Sequence, residues 1–255
     1  LSGLAIFGFK CPSLLQFENQ KHTEPMIRRN LRTLYQVNKA PSDTCLRERL
    51  DQISPRQLRK PFKKILSYLQ RGKVLESYRY LGGHYIVSLD GTGQYSSKQV
   101  SCKNCCEKKH KDGSKTYYHQ LLGAAIVHPE QKVVIPLAPE PIIKGDGVTK
   151  NDCERNASKR LLKDLRREHP HLKLLIVEDG LASNFPHLCL LDELKMNYII
   201  GVKPGDHAYL FEWISLLKPT QYSQVAKEGK RHDFECYENV PLNDTHYDYR
   251  VNVIV

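Results

Sequence analysis

Two acid–glycine steps stand at the ends of apolar runs. HYIVSLDGTGQY (84–95) carries Asp90-Gly91 after Ile86, Val87 and Leu89, and LKLLIVEDG (172–180) carries Asp179-Gly180. Asp-Gly is a common turn dipeptide, so either step alone reads as a turn. Two buried strands that each bring a carboxylate to their C-terminal end describe something more, an acidic site at one edge of an α/β sheet. Carboxylates gathered in this way repel one another unless cations or protons compensate. Mg²⁺ (or Mn²⁺) suits such a site, because it is held by one or two carboxylates, waters and substrate phosphate oxygens. Two such ions about 4 Å apart activate a hydroxyl and stabilise the leaving oxygen of an in-line phosphodiester displacement. Asp90 and Asp179 are therefore the candidate metal ligands and catalytic acids. Glu178 competes with Asp179, but neighbours on a strand point to opposite faces, so only one of them enters the site.

A second group is Cys102, Cys105, Cys106 and His110, with His119 further on. Cys-x2-Cys with a nearby His fits a zinc knuckle, although only one half-motif is present; reduced thiols in a lysine-rich loop are the plain alternative. The other cysteines are scattered and the chain is long, so the set is not a secreted disulfide framework, and a reducing cytosol is expected. Asp152 and Glu154 stand at a helix start, where capping and dipole complementarity account for both. His84, His119 and His128 fall on or near strands and read as structural histidines. Tyr117 and Tyr118 have no Arg/His constellation around them that would make them recombinase nucleophiles. Trp213 reads as core.

The net charge of +11 over 255 residues is unevenly spread. Residues 1–80 hold sixteen Lys/Arg against six Asp/Glu, and residues 98–115 hold six against two. Localised positive charge is the footprint of a polyanion binder, and nucleic acid is the first candidate. The residues that carry it are Arg56, Arg59, Lys60, Lys63 and Lys64 in the first segment, and Lys98, Lys103, Lys108, Lys109 and Lys111 in the second. No apolar run has the length of a membrane span.

The elements that must position these groups follow from periodicity. PMIRRNLRTLYQV (25–37) predicts a basic helix with Pro25 in its first turn. Ser42/Asp43 caps a second helix. Leu58, Phe62, Ile65, Leu66 and Leu69 have helical spacing up to a stop at Arg71-Gly72, with Pro61 as a kink or a shifted start. The first strand ends on Asp90 and breaks at Gly91 and Gly93. Strands at 116–128 and 132–142 complete an antiparallel meander, and Pro136 marks an edge or an end of pairing. A helix follows, with Asn151 and Glu154 as a capping-box-like pair and Ala157, Leu161, Leu162 and Leu165 as its buried stripe. Strand 172–177, a helix over 184–195, strand 197–202 and a helix over 206–217 come next. RHDFECYENVPL and THYDYRVNVIV then alternate as an antiparallel pair. The fold class is α/β, with three antiparallel strands and then parallel strands with helices. The divisions are a basic helical region at 1–80, a core at 81–220 and the start of a β-rich insertion at 221–255.

YIVSLDGTGQYSS, DCERNASKRLL, LLIVEDGLASN and NYIIGVKPGDH, in that order, resemble the DDE transposases of bacterial insertion sequences, above all the fourth insertion-sequence family and its relatives. The resemblance runs from about Ser42 to the C-terminus. It implies an RNase H-like fold, with Asp90 and Asp179 as the first two acids of a triad. It further implies Mg²⁺-dependent cleavage and strand transfer at element ends, double-stranded DNA as partner, a homodimer across two DNA ends, and a bacterial cytoplasmic, nucleoid-associated location. The family's third acid is a Glu in a Tyr…Arg…Glu…Lys motif. Glu212, Glu228, Glu235 and Glu238 do not stand in that motif, so the resemblance places the Glu beyond Val255 and predicts an inactive fragment. The other readings are an RNase H-like nuclease and a non-catalytic, co-opted DNA-binding protein.

Overall fold

The computed structural model describes residues 1–146, 150–226 and 229–255, the side chains at 146 and 150–153 excepted. The sequence readings of Asn151, Asp152, Cys153 and Glu228 lie outside the described residues. Eight α-helices and two sheets form among the described residues, and none of the helices is long and apolar enough to cross a membrane.

The chain divides into two compact units, Leu1–Lys60 and Pro61–Val255. The first consists of α1 (Ser2–Gly8), α2 (Leu14–Thr23), α3 (Pro25–Thr33) and α4 (Asp43–Asp51). Local chemistry sets their starts. Ser13 and Ser42 accept backbone N–H bonds from Gln16 and Cys45, and Pro25 opens α3, where its missing N–H costs nothing. Ala5, Ile6, Phe17, Leu31 and Leu46 form its core. α1 and α2 have no counterpart in the sequence reading, because their apolar residues are too few to set a period. The Lys21 ammonium is buried, and it stays satisfied through Glu18 (2.6 Å) and the carbonyls of Ala40 and Pro41 (3.3 and 2.7 Å).

The second unit begins within α5 (Arg59–Arg71), at Pro61. Pro61 stands in its first turn, where it neither kinks the helix nor removes a bond. Only part of the expected stripe is inward: Leu66 is buried and Leu69 packs on the core, whereas Leu58 and Ile65 are exposed. The main sheet consists of β1 (Tyr85–Ser97), β2 (Cys106–Lys109), β3 (Lys115–Val127), β4 (Ile135–Pro136), β5 (Glu140–Ile142), β6 (Leu174–Glu178) and β7 (Asn197–Ile200). Its order is β2-β3-β1-β6-β7, with β4 and β5 also paired to β3. β1 pairs antiparallel with β3 and parallel with β6, and β6 pairs parallel with β7, so the sheet is mixed. The expected third strand is present as two pieces; Pro136 ends the first, although Leu137 still donates to the Ala124 carbonyl of β3 at 2.8 Å.

α6 (Lys150–Glu168) covers the sheet with Ala157, Leu161, Leu162 and Leu165, all fully buried, and Arg160 pairs with the buried Glu140 of β5 at 2.6 Å. α7 (Phe185–Glu193), capped by Asn184, adds Leu188, Leu190 and Leu191 to the same core. α8 (Ala208–Leu216) packs on a second sheet, β8 (Thr220–Val225), β9 (Arg231–Pro241) and β10 (Arg250–Ile254), in the order β10-β9-β8. The expected antiparallel pair is β9 and β10. β8 is an addition, and all six of its residues are exposed, so it lacks the apolar alternation that would have marked it as a strand. Trp213 packs against the small core of Leu210, Ile214, Tyr237, Val240 and Val253.

Candidate active site

The acid strand does not end on its acid. β1 continues seven residues past Asp90 to Ser97, because β3 pairs with it along almost the whole length, with a register shift between Gly93 and Tyr95. What ends near Asp90 is the other neighbour. β6 pairs with β1 only from Tyr85↔Leu174 to Ser88↔Val177. Beyond Ser88 that edge of β1 is open, and the two chains part around a cleft.

The parallel register brings the acids to the same level. Every β1–β6 pair is 89 residues apart, and so are Asp90 and Asp179. Both acids are exposed, and both line a cleft of about 570 Å³ with Glu154, Arg155, Asp206 and His207. Asp179 also caps the single helical turn at 180–182, its Oδ1 accepting from the Leu181 N–H at 3.0 Å. Gly180 is needed for a different reason from turn geometry. A Cβ there would lie 3.3 Å from the Gly201 carbonyl, where the ends of β6 and β7 meet through the Gly201 N–H donating to Glu178 O at 3.1 Å.

Glu178 is committed elsewhere. Its Oε2 lies 2.6 Å from His187 Nε2 and its Oε1 accepts from the Ser158 hydroxyl at 3.3 Å, with both partners of the carboxylate–imidazole pair nearly inaccessible. A buried carboxylate needs such partners. This pair forms the floor of a smaller pocket, lined also by Asp90, Glu154 and Asp179. His207 at the cleft's edge bonds Ser183 Oγ at 2.6 Å.

Glu154 is the residue that the sequence reading assigned to a capping role only. It lies in the first turns of α6, and its carboxylate sits against Gly91. A Cβ on Gly91 would be 3.0 Å from Oε1, 3.1 Å from Cδ and 3.2 Å from Oε2. Glycine at 91 thus leaves the space that a carboxylate from the helix occupies. A signal for it was present in the sequence. Glu154 continues the buried stripe of Ala157, Leu161 and Leu165 at helical spacing, and an acid on the inward face of a helix requires an explanation.

The cysteine cluster is real but has a different membership. Cys102 Sγ, Cys105 Sγ and His119 Nε2 come together, whereas Cys106 and His110 do not join them. Cys106 is buried, with its thiol on the Ile142 carbonyl side at 3.7 Å, and His110 bonds Thr116 Oγ1 at 2.7 Å. The reason is strand geometry. Cys105 and Cys106 are neighbours in extended chain and face opposite ways. The β2–β3 register pairs Cys106 with Tyr118, which sets Cys105 beside His119 and leaves His110 at the far turn.

Of the basic residues, Lys98, Lys103, Lys108, Lys109 and Lys111 are exposed, as are Arg56, Lys60, Lys63 and Lys64. Arg59 is buried, so it is not part of an outer basic face. In unit one, Arg28, Arg29 and Arg32 on α3 are exposed as well. Glu107 takes both Lys115 and Lys144 as partners, and these cations hold its carboxyl below the usual range.

No protein-family model matches the chain, and no curated protein matches it. Among solved structures, it is similar to the crystal structure of a pre-cleavage Mos1 transpososome at 13% identity and a TM-score of 0.20, over 80% of this chain and 64% of that one. A likeness at this level leaves any assignment to the geometry of the chain itself.

Proposed function

We propose that the chain is the RNase H-like part of an enzyme that cuts and joins DNA, a transposase of the DDE type, with Asp90, Asp179 and Glu154 as its acids. The observation that carries the proposal is that Asp90, Asp179 and Glu154, from β1, the end of β6 and the first turns of α6, line one open cleft, which Asp206 lines as well. The strand order, antiparallel on one side of β1 and parallel on the other, supports the same reading.

The donor types suit a hard divalent cation, and the acids would have to draw together to share one, since among the described residues they do not form a close ligand cluster. The donors are carboxylate oxygens, exposed on Asp90 and Asp179 and half-buried on Glu154, which fills a cradle that any side chain at position 91 would crowd. Asp90, Asp179 and Glu154 would hold Mg²⁺ or Mn²⁺, which supplies an activated hydroxyl and charge stabilisation at the leaving oxygen. The chain's own residues do the rest. The aligned register of β1 and β6 fixes the two aspartates relative to each other. Glu178 lies with Asp179 in the smaller pocket, contrary to the expectation that only one of the two would face the site, but His187 and Ser158 hold it on the floor. Arg155, exposed and lining the cleft, supplies a cation against a phosphate. The exposed lysines of 98–111 hold the DNA backbone beside β1.

The test uses the purified chain with supercoiled plasmid and Mg²⁺ or Mn²⁺. With Glu154 standing in the cleft in place of the Glu that the resemblance sets beyond Val255, nicking in the wild type that is lost in Asp90→Asn and Asp179→Asn is expected, in place of the inactive fragment that the resemblance alone predicts. Retained cleavage in either variant refutes the site. Cutting without joining of a supplied 3′-hydroxyl end places the chain with nucleases, and binding without cutting places it with non-catalytic DNA-binding proteins.

A further inference from the structure

The far end of β1 carries a second constellation that the acid cleft does not use. Cys102 and Cys105 lie in the connection from β1 to β2, and His119 lies on β3 opposite Tyr95. Their donor atoms are mutually close: 3.5 Å between the two sulfurs, and 3.3 Å from each sulfur to His119 Nε2. Tetrahedral Zn²⁺ with bonds of about 2.3 Å to sulfur and 2.0–2.1 Å to nitrogen requires edges of about 3.8 Å and 3.5 Å. The observed triangle is smaller by two or three tenths of an ångström, so it opens to a zinc face with side-chain movement alone. The donors are soft, two thiols and an imidazole, which selects Zn²⁺ over the hard cation of the acid cleft. The Cys102 N–H donates to Cys105 Sγ at 3.2 Å, and the Cys105 N–H to Cys102 O at 3.1 Å, which closes the turn that presents both sulfurs on one side.

We propose that Cys102, Cys105 and His119 bind one Zn²⁺ ion, which fastens the lysine-rich loop to the β1–β3 ribbon. Among the described residues no fourth Cys, His, Asp or Glu belongs to the group. Cys102 is exposed, so the fourth position opens to solvent and is filled by water. Loading displaces the thiol protons to solvent, because the metal takes the thiolates. The function is mechanical. Past Ser88 the outer half of β1 has β3 as its partner and no longer β6, and the connection from Lys98 to Asn104 is exposed throughout, with no buried side chain to hold it. A metal bridging residues 102, 105 and 119 closes that connection onto β3, and so limits the freedom of Lys98 and Lys103 beside the outer half of β1. The site is independent of the acid cleft and of the proposed DNA chemistry.

The experiment measures zinc in the full chain, purified without chelator and with its thiols reduced, by elemental analysis and by release to a colorimetric chelator. About one zinc per chain is expected. Cys105→Ser and His119→Ala should each lose it, whereas His110→Ala should keep it. Replacement by Co²⁺ should give the visible absorption of a tetrahedral thiolate site, which reports the ligand set without any variant. In the wild type, stripping zinc should speed tryptic cutting after Lys98 and Lys103 and leave cutting in α6 unchanged. Zinc well below one per chain, a Cys102–Cys105 disulfide found by mass spectrometry in the freshly purified protein, or full zinc retention in His119→Ala would each overturn the proposal.

Discussion

The two halves of β1 live in different surroundings. From Ile86 to Ser88 the strand lies between β3 and β6, and Tyr85, Val87 and Leu89 are buried in the main core. From Gly91 to Ser97 the strand pairs with β3 but not with β6, and most of its residues are exposed. The inner half is fixed by packing, with every pleat matched by a neighbour on each side. The outer half is a ribbon whose position depends on one ladder and on whatever anchors its end. Asp90 sits at the junction. It takes its precision from the packed half and its access to solvent from the open half, which is where a catalytic acid has both rigidity and room.

The sharpest way to break this contrast is in the packed half. Ile126 of β3 is fully buried opposite Val87. Ile126→Ala should cost about 2–5 kcal/mol in urea unfolding, through lost burial and an unfilled cavity. A loss under about 1 kcal/mol would mean that the inner half is not the rigid part. At the junction, Asp90→Asn should leave the unfolding midpoint near that of the wild type, because the side chain is exposed, and reduce DNA cleavage about 100-fold or more. A parallel fall in stability would make Asp90 structural instead. Gly91→Ala tests the cradle. Its new Cβ would press on the Glu154 carboxylate, a flexible group, so the fold should change by under about 0.5 kcal/mol while Mn²⁺ affinity falls several-fold. Unchanged affinity would remove Glu154 from the site. In the open half, Tyr95→Ala should shift stability by about 0.5 kcal/mol or less, since the ring is exposed and its hydroxyl makes one long bond (3.4 Å) to Val100 O. A larger cost would show that the outer ribbon is packed after all.

Asp90 and Asp179 were legible because each follows an apolar run, and a run ending in an acid is local information. The length of β1 was not legible. Gly91 and Gly93 read as breakers, and only the length of β3, a partner some thirty residues on, holds the strand together past them. Glu154 was visible as a residue and hidden in its role. Its position three residues after Asn151 satisfied a capping pattern, and the sequence does not say which helix turn faces which strand. The Cys/His set was legible in part, and its membership was left open for the same kind of reason. His110 is near Cys105 in sequence, but antiparallel pairing brings in His119 from the returning strand. In each case the missing information was the register between strands, or between strand and helix, which tertiary packing sets and local pattern does not carry.

The central claim is that three carboxylates from three elements act as one metal site. Mn²⁺ binding to the intact chain, followed by electron paramagnetic resonance, tests it without requiring turnover. Saturable binding in the wild type, weakened about tenfold or more in each of Asp90→Asn, Asp179→Asn and Glu154→Gln, is the predicted result. Saturable binding that none of the three substitutions weakens would contradict it.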